Sequence, residues 1–177
     1  MRVAGLGFRH GATEQSLADA LARAGGEVSA LATPADKAEA PAILALAQTL
    51  GLPVVAVPGL DLRAAPTRVQ QFDGQVLDVW AYNGTVPGPV LKVKLGEEVL
   101  VNFRNDLPQP TTIHWHGVRV PNAMDGVPGV TQDPIPPGGT FTYRFVPKDA
   151  GTFWFHPHVR GAEQVERGLY GVLVVED

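Results

Sequence analysis

Alanine and the aromatic residues divide this chain near residue 60. Of 21 alanines, 15 fall in residues 1–60, and of 13 aromatic residues only Phe8 does. The other twelve aromatics, with most of the 16 prolines, lie in residues 61–177. Such a step in composition marks two pieces of different origin, with the seam in "GLDLRAAPTRV".

The first piece reads as β-α-β-α-β. "RVAGLGF" is a short apolar run ended by glycine, and Thr13 is placed to cap a helix with Glu14 in its first turn. Leu17, Ala20, Leu21 and Ala24 follow at helical spacing until Gly25 and Gly26 stop them. "VSALAT" is a second strand, Pro41 opens a second helix that Gly51 ends, and "PVVAV" is a third strand, apolar throughout like a buried parallel one. Gly5, Gly7 and Gly11 in "GLGFRHG" invite a dinucleotide reading. Their spacing is loose, and the second strand "VSALAT" ends without the acidic residue that would hold a ribose, so a tight strand-to-helix turn is the better reading.

The second piece changes to period two. Val99, Val101 and Phe103 alternate with Leu100 and Asn102, as Phe141, Tyr143 and Phe145 do with Thr142 and Arg144. Turn chemistry in "YNGTVPGP", "NDLPQP" and "DPIPPGG" separates about seven short strands, which argues a β-sandwich of Greek-key type. The expected division is an α/β segment over residues 1–65 and an all-β sandwich over 66–177.

Several classes drop out. The net charge of −4, with no basic stripe among aromatics, gives no footprint for nucleic acid or an anionic membrane. With no cysteine there is no disulfide, thiol catalysis, thiolate-bound zinc or Cys-ligated copper. No apolar run reaches the length of a membrane span, and "MRVAGLGFRHGATEQ" does not read as a secretory signal. The chain as written therefore reads as cytoplasmic.

Four of the five histidines form two pairs, His114 and His116 in "TIHWHGVRV", His156 and His158 in "FWFHPHVRG". Side chains two apart on a strand share a face about 7 Å apart, so each pair faces one way while Trp115 turns into packing. Pro157 implies an edge, bulge or strand end within the second pair. Four neutral imidazoles brought together want a metal, since without one their protonation below about pH 6.5 would set them repelling each other. All-imidazole sites suit copper or zinc, and the residue types alone do not choose between them. A zinc hydrolase would also need a placed general base, for which Asp125 is the one candidate.

Two resemblances sharpen the reading. "GLGFRHGAT", "LATPADKAEAPAI" and "LGLPVVAV" resemble the first half of the cobalamin-biosynthesis domain of the CobE/CbiG C-terminal type, over about residues 1–65. That family works in cytoplasmic corrin-ring assembly, and the strands and helices that should follow "AAPTR" are missing, which implies a truncated domain. His10 falls in its glycine-rich loop and reads as a polar loop residue. "YNGTVPGPVLKVKLGEEVLVNFRNDL", "TIHWHG", "MDGVPGVTQDPIPPGGTFTYRF" and "GTFWFHPH" resemble the N-terminal cupredoxin domain of multicopper oxidases, from about residue 68 to the end.

This second resemblance implies that His114 is a ligand of the type 2 copper, and that His116, His156 and His158 are ligands of the type 3 pair. It implies that Asp125 helps deliver protons during oxygen reduction; its plainer reading is an Asp-Gly turn residue. Trp115 and Trp154 would be core residues beside the ligands, and Gln164, Gly168 and Gly171 structural ones. The family also needs a type 1 copper with a Cys ligand and a second set of histidines, neither of which this chain supplies. Three functions stay open: the opening domain of a multicopper oxidase, inactive alone; a copper-binding module without turnover; or a cobalamin-assembly protein with a fused cupredoxin domain. Dioxygen and a phenol or metal-ion donor would be partners only if other cupredoxin domains complete the cluster, and the exposed cluster face would favour self-association. Such oxidases are usually periplasmic or exported, against the cytoplasmic reading above, and the union of the two pieces resembles a recombined or truncated reading frame.

Overall fold

The computed structural model describes residues 3–6, 8, 11–34, 37–57, 59–70 and 73–177. His10 lies outside them. The chain falls into two compact units, Met1–Gly59 and Leu60–Asp177.

The first unit runs β1 (Val3–Gly5), α1 (Glu14–Ala24), β2 (Ala30–Pro34), α2 (Pro41–Leu50) and β3 (Val54–Val57). Its three strands make a parallel sheet in the order β1-β2-β3. Thr13 caps α1: its hydroxyl accepts the Ser16 N–H at 3.2 Å, and the Ser16 side chain returns the bond to the Thr13 backbone. Pro41 fills the first turn of α2, where its missing N–H costs nothing, and Gly51 closes the helix in a left-handed conformation. Leu17 of α1 packs with Ile43, Leu46 and Ala47 of α2 over Leu31 and Leu6.

The second unit is mostly β. Its elements are β4 (Leu60–Gln70), β5 (Val76–Tyr82), β6 (Val90–Lys94), β7 (Val99–Asn105), β8 (His114–His116), β9 (Thr140–Phe145), β10 (Gly151–His156), the short helix α3 (Gly161–Glu166) and β11 (Gly171–Glu176). They form two four-stranded sheets, β5-β4-β7-β9 and β6-β11-β10-β8. Among the described residues of this unit eight strands stand where the sequence suggested about seven. The seam expected after residue 65 falls inside β4, whose Leu60–Ala64 pair in parallel with β7. Leu62 and Ala64 point into the core while Asp61 and Arg63 face out, a period-two pattern that belongs to the sandwich.

One core fills the space between the sheets. Leu62, Val101, Phe103, Tyr143 and Phe145 meet Leu91, Trp115, Phe155, Leu173 and Val175, all buried. Each fully buried phenylalanine here stabilises the unit by roughly 1.5–3 kcal/mol. The tilted and edge-on contacts of Trp115 with Tyr143, Phe145 and Phe155, at centroid distances of 5.5, 5.0 and 5.7 Å, lock the register of the strands that carry histidine. Among the described residues, no helix is long and apolar enough to cross a membrane.

Candidate metal centre

The histidines are set by the pairing of β8 with β10. The strands run antiparallel with Trp154 opposite His116, Phe155 opposite Trp115 and His156 opposite His114. Trp115 and Phe155 are wholly buried, so strict alternation turns the flanking His114, His116, Trp154 and His156 to the other face. β8 ends its sheet, which leaves this face at an edge.

Three of the four paired histidines meet. Ligating nitrogens of His114, His116 and His156 all lie within 4.8 Å of one another. His158 stands outside that set, its ring 5.2 Å from the His114 ring and 6.2 Å from that of His156 between centroids. The cause is local: β10 ends at His156 and Pro157 has no N–H, so the ladder that fixes the other three does not reach His158.

Backbone carbonyls set the ring protons. His114 Nδ1 lies 2.8 Å from the Asp125 carbonyl, and His156 Nδ1 lies 2.9 Å from the Pro157 carbonyl. A carbonyl only accepts, so both Nδ1 atoms carry the proton and both Nε2 atoms are bare. His116 presents the opposite nitrogen: its Nδ1 is 3.2 Å from His156 Nε2 and donates to it. Burial holds the His156 imidazole below its ordinary value of 6.5. The Pro157 carbonyl opposes that shift, and the other three rings add to it. Neutral imidazoles with bare nitrogens and no thiolate suit copper or zinc, so the donor set fits the ions expected from it.

Asp125 sits beside this group, its carboxylate oxygen 3.3 Å from His114 Nδ1 and its side chain about one-third exposed. It follows the 3-10 turn Asn122–Met124 and precedes Gly126, whose φ is +77°. A Cβ at residue 126 would overlap the Ile113 carbonyl, so only glycine lets this loop lie against the entry to β8.

Trp154 departs from the expectation of a core residue. It is 39 % exposed, stacked on the His156 ring at 4.0 Å and tilted against the His116 ring at 5.0 Å. Trp115, by contrast, is wholly buried. The carbonyls of Asp125 and Pro157 were missed from the sequence, because backbone acceptors leave no signature in residue type.

Comparison with known proteins gives the family of this chain. Residues 64–177 match the family profile described as multicopper oxidase. The chain belongs to the multicopper oxidase family, which comprises copper oxidoreductases built from cupredoxin domains. Residues 2–80 match a second profile, described as cobalamin synthesis G C-terminus. Multicopper oxidase MmcO of Mycobacterium tuberculosis is 42% identical over 116 residues, which are 66% of this chain and 22% of that protein. Copper resistance protein A of Pseudomonas syringae pv. tomato is 48% identical over 96 residues, 54% of this chain and 15% of that protein. The crystal structure of a multi-copper oxidase from Pseudomonas thermotolerans aligns with a TM-score of 0.65 and 49% identity, covering 67% of this chain and 29% of that one. The chain thus spans about a fifth of the length of the curated relatives it matches.

Proposed function

We propose that the second unit is a Greek-key cupredoxin sandwich that holds copper through His114, His116, His156 and His158, and contributes these four ligands to an oxygen-reducing cluster. The observation that carries this is the convergence of three imidazoles from distant segments, two of which, His114 and His156, have their ring protons turned toward backbone carbonyls. Family resemblance assigns His114 to a type 2 copper and His116, His156 and His158 to a type 3 pair. Copper bound there would supply one-electron chemistry toward dioxygen. The chain's own residues prepare for it. The Asp125 and Pro157 carbonyls aim the Nε2 atoms of His114 and His156, and the Asp125 carboxylate lies beside His114, where the family resemblance places proton delivery.

Alone, this chain binds copper without turnover. A blue type 1 centre takes a Cys thiolate, and these 177 residues contain none. Oxidation of a phenol or metal ion by dioxygen therefore requires further cupredoxin domains. The exposed Trp154 and His116 give the cluster face a reason to associate, with such a domain or with a second copy. The match over residues 2–80 supports a second reading, in which the first unit serves cobalamin assembly.

Copper titration of the purified chain tests the main reading. Binding should be lost in the His114→Ala, His156→Ala double variant, and no intense blue absorption should appear. Oxygen uptake with a phenolic donor should stay at background.

A further inference from the structure

We infer that Thr112 is a positioning residue for His158, and that Gln164 fixes the segment from which Thr112 acts. This rests on the metal-site reading above and concerns how its fourth ligand is placed.

Beyond His156 the strand ladder stops, and the His158 N–H is instead donated to the Thr112 hydroxyl at 3.3 Å. Thr112 is wholly buried and lies two residues before His114, just ahead of β8. The bond therefore ties the first histidine segment to the second at the point where no backbone pairing does. The segment holding Thr112 is anchored in turn. Gln164 of α3, also wholly buried, accepts the Thr111 hydroxyl at 2.7 Å and donates to the Pro110 carbonyl at 3.0 Å. The turn into α3 begins at Arg160, which takes a left-handed conformation (φ 45°, ψ 49°) just after His158. One buried amide thus joins the residues leading into the first histidine pair to the helix that follows the second.

A buried network this complete, with its members within six residues of the ligands, does more than stabilise the sandwich. It decides whether His158 stands beside His114 or swings with the loop after Pro157. The structure needs a hydroxyl at residue 112 for this, and not merely a side chain of that volume.

Zinc(II), a diamagnetic probe, is titrated into the full chain while the ring signals of each histidine are followed by NMR. In the unsubstituted chain all four rings should respond. In Thr112→Val the apparent affinity read at His158 should fall by about tenfold or more, with His114, His116 and His156 responding as before. Thr112→Ser, which restores the hydroxyl, should restore the His158 response, a rescue that a packing role alone would not give. Gln164→Met should reproduce the selective loss; if it does not fold, the Thr112 pair decides. A His158 response unchanged in Thr112→Val overturns this inference alone. Four rings that stay silent in the unsubstituted chain overturn the metal-site reading, and this inference with it.

Discussion

His116 Nδ1 and His156 Nε2 face each other across the paired strands at 3.2 Å, sharing one proton. His156 has its own proton committed to the Pro157 carbonyl, so the shared proton belongs to His116. An ion that engages both nitrogens must displace it. His116 should therefore change tautomer on loading, from Nδ1–H to Nε2–H, while His114 and His156 keep Nδ1–H. Nitrogen-15 shifts of the imidazoles, with and without zinc(II), read this directly. A His116 ring still protonated at Nδ1 in the loaded chain would contradict it.

Trp154 is a built-in reporter. Its ring is stacked on His156 at 4.0 Å, whereas Trp115 is buried in the core on the opposite side of the same strands. Copper(II) bound to His116 and His156 should quench Trp154 emission, and Trp154→Phe should remove most of the copper-dependent change. Equal quenching in that variant would place the ion elsewhere.

Gly126 sets how closely the Asp125 loop approaches His114. Gly126→Ala puts a Cβ into the Ile113 carbonyl at a positive φ, so it should lower stability by about 2 kcal/mol. It should also weaken copper binding, because the Asp125 carbonyl no longer reaches His114 Nδ1. Asp125→Asn keeps that carbonyl and should bind copper nearly normally. Denaturant melts and copper titrations of the two variants separate the effects.

Acid should weaken the sandwich partly through Asp106. The Arg63 side chain, and then Arg104, hold its carboxyl below the ordinary value of 3.8 against the opposing effect of burial. A carboxylate with a depressed folded value stabilises above the unfolded value and loses that contribution as pH falls through the folded one. The stability of Asp106→Asn should therefore fall less steeply than that of the unsubstituted chain below about pH 4, as urea melts at stepped pH would show.

Much of this was legible in local chemistry. Thr13, Gly25, Pro41 and Gly51 marked helix ends because capping and left-handed closure depend on a residue and its near neighbours. Alternation in "FWFH" already put Trp154 on the face of His156, and the expectation that it was core came from resemblance and not from period. The seam was harder to read, since Ala64 and Ala65 carry the composition of the first piece while the strand they belong to pairs within the second unit. Least legible was His158. Its position depends on a hydroxyl and a buried amide 46 and 6 residues away, and no local pattern records such a bond.

The central claim is that imidazoles from two distant strands hold copper on this chain. X-ray absorption at the copper edge of the loaded, desalted protein tests it most directly. The account predicts retained copper with an all-nitrogen or oxygen shell, the outer-shell scattering of imidazole rings and no sulfur. Copper lost on desalting, or retained copper without imidazole scattering, would contradict it.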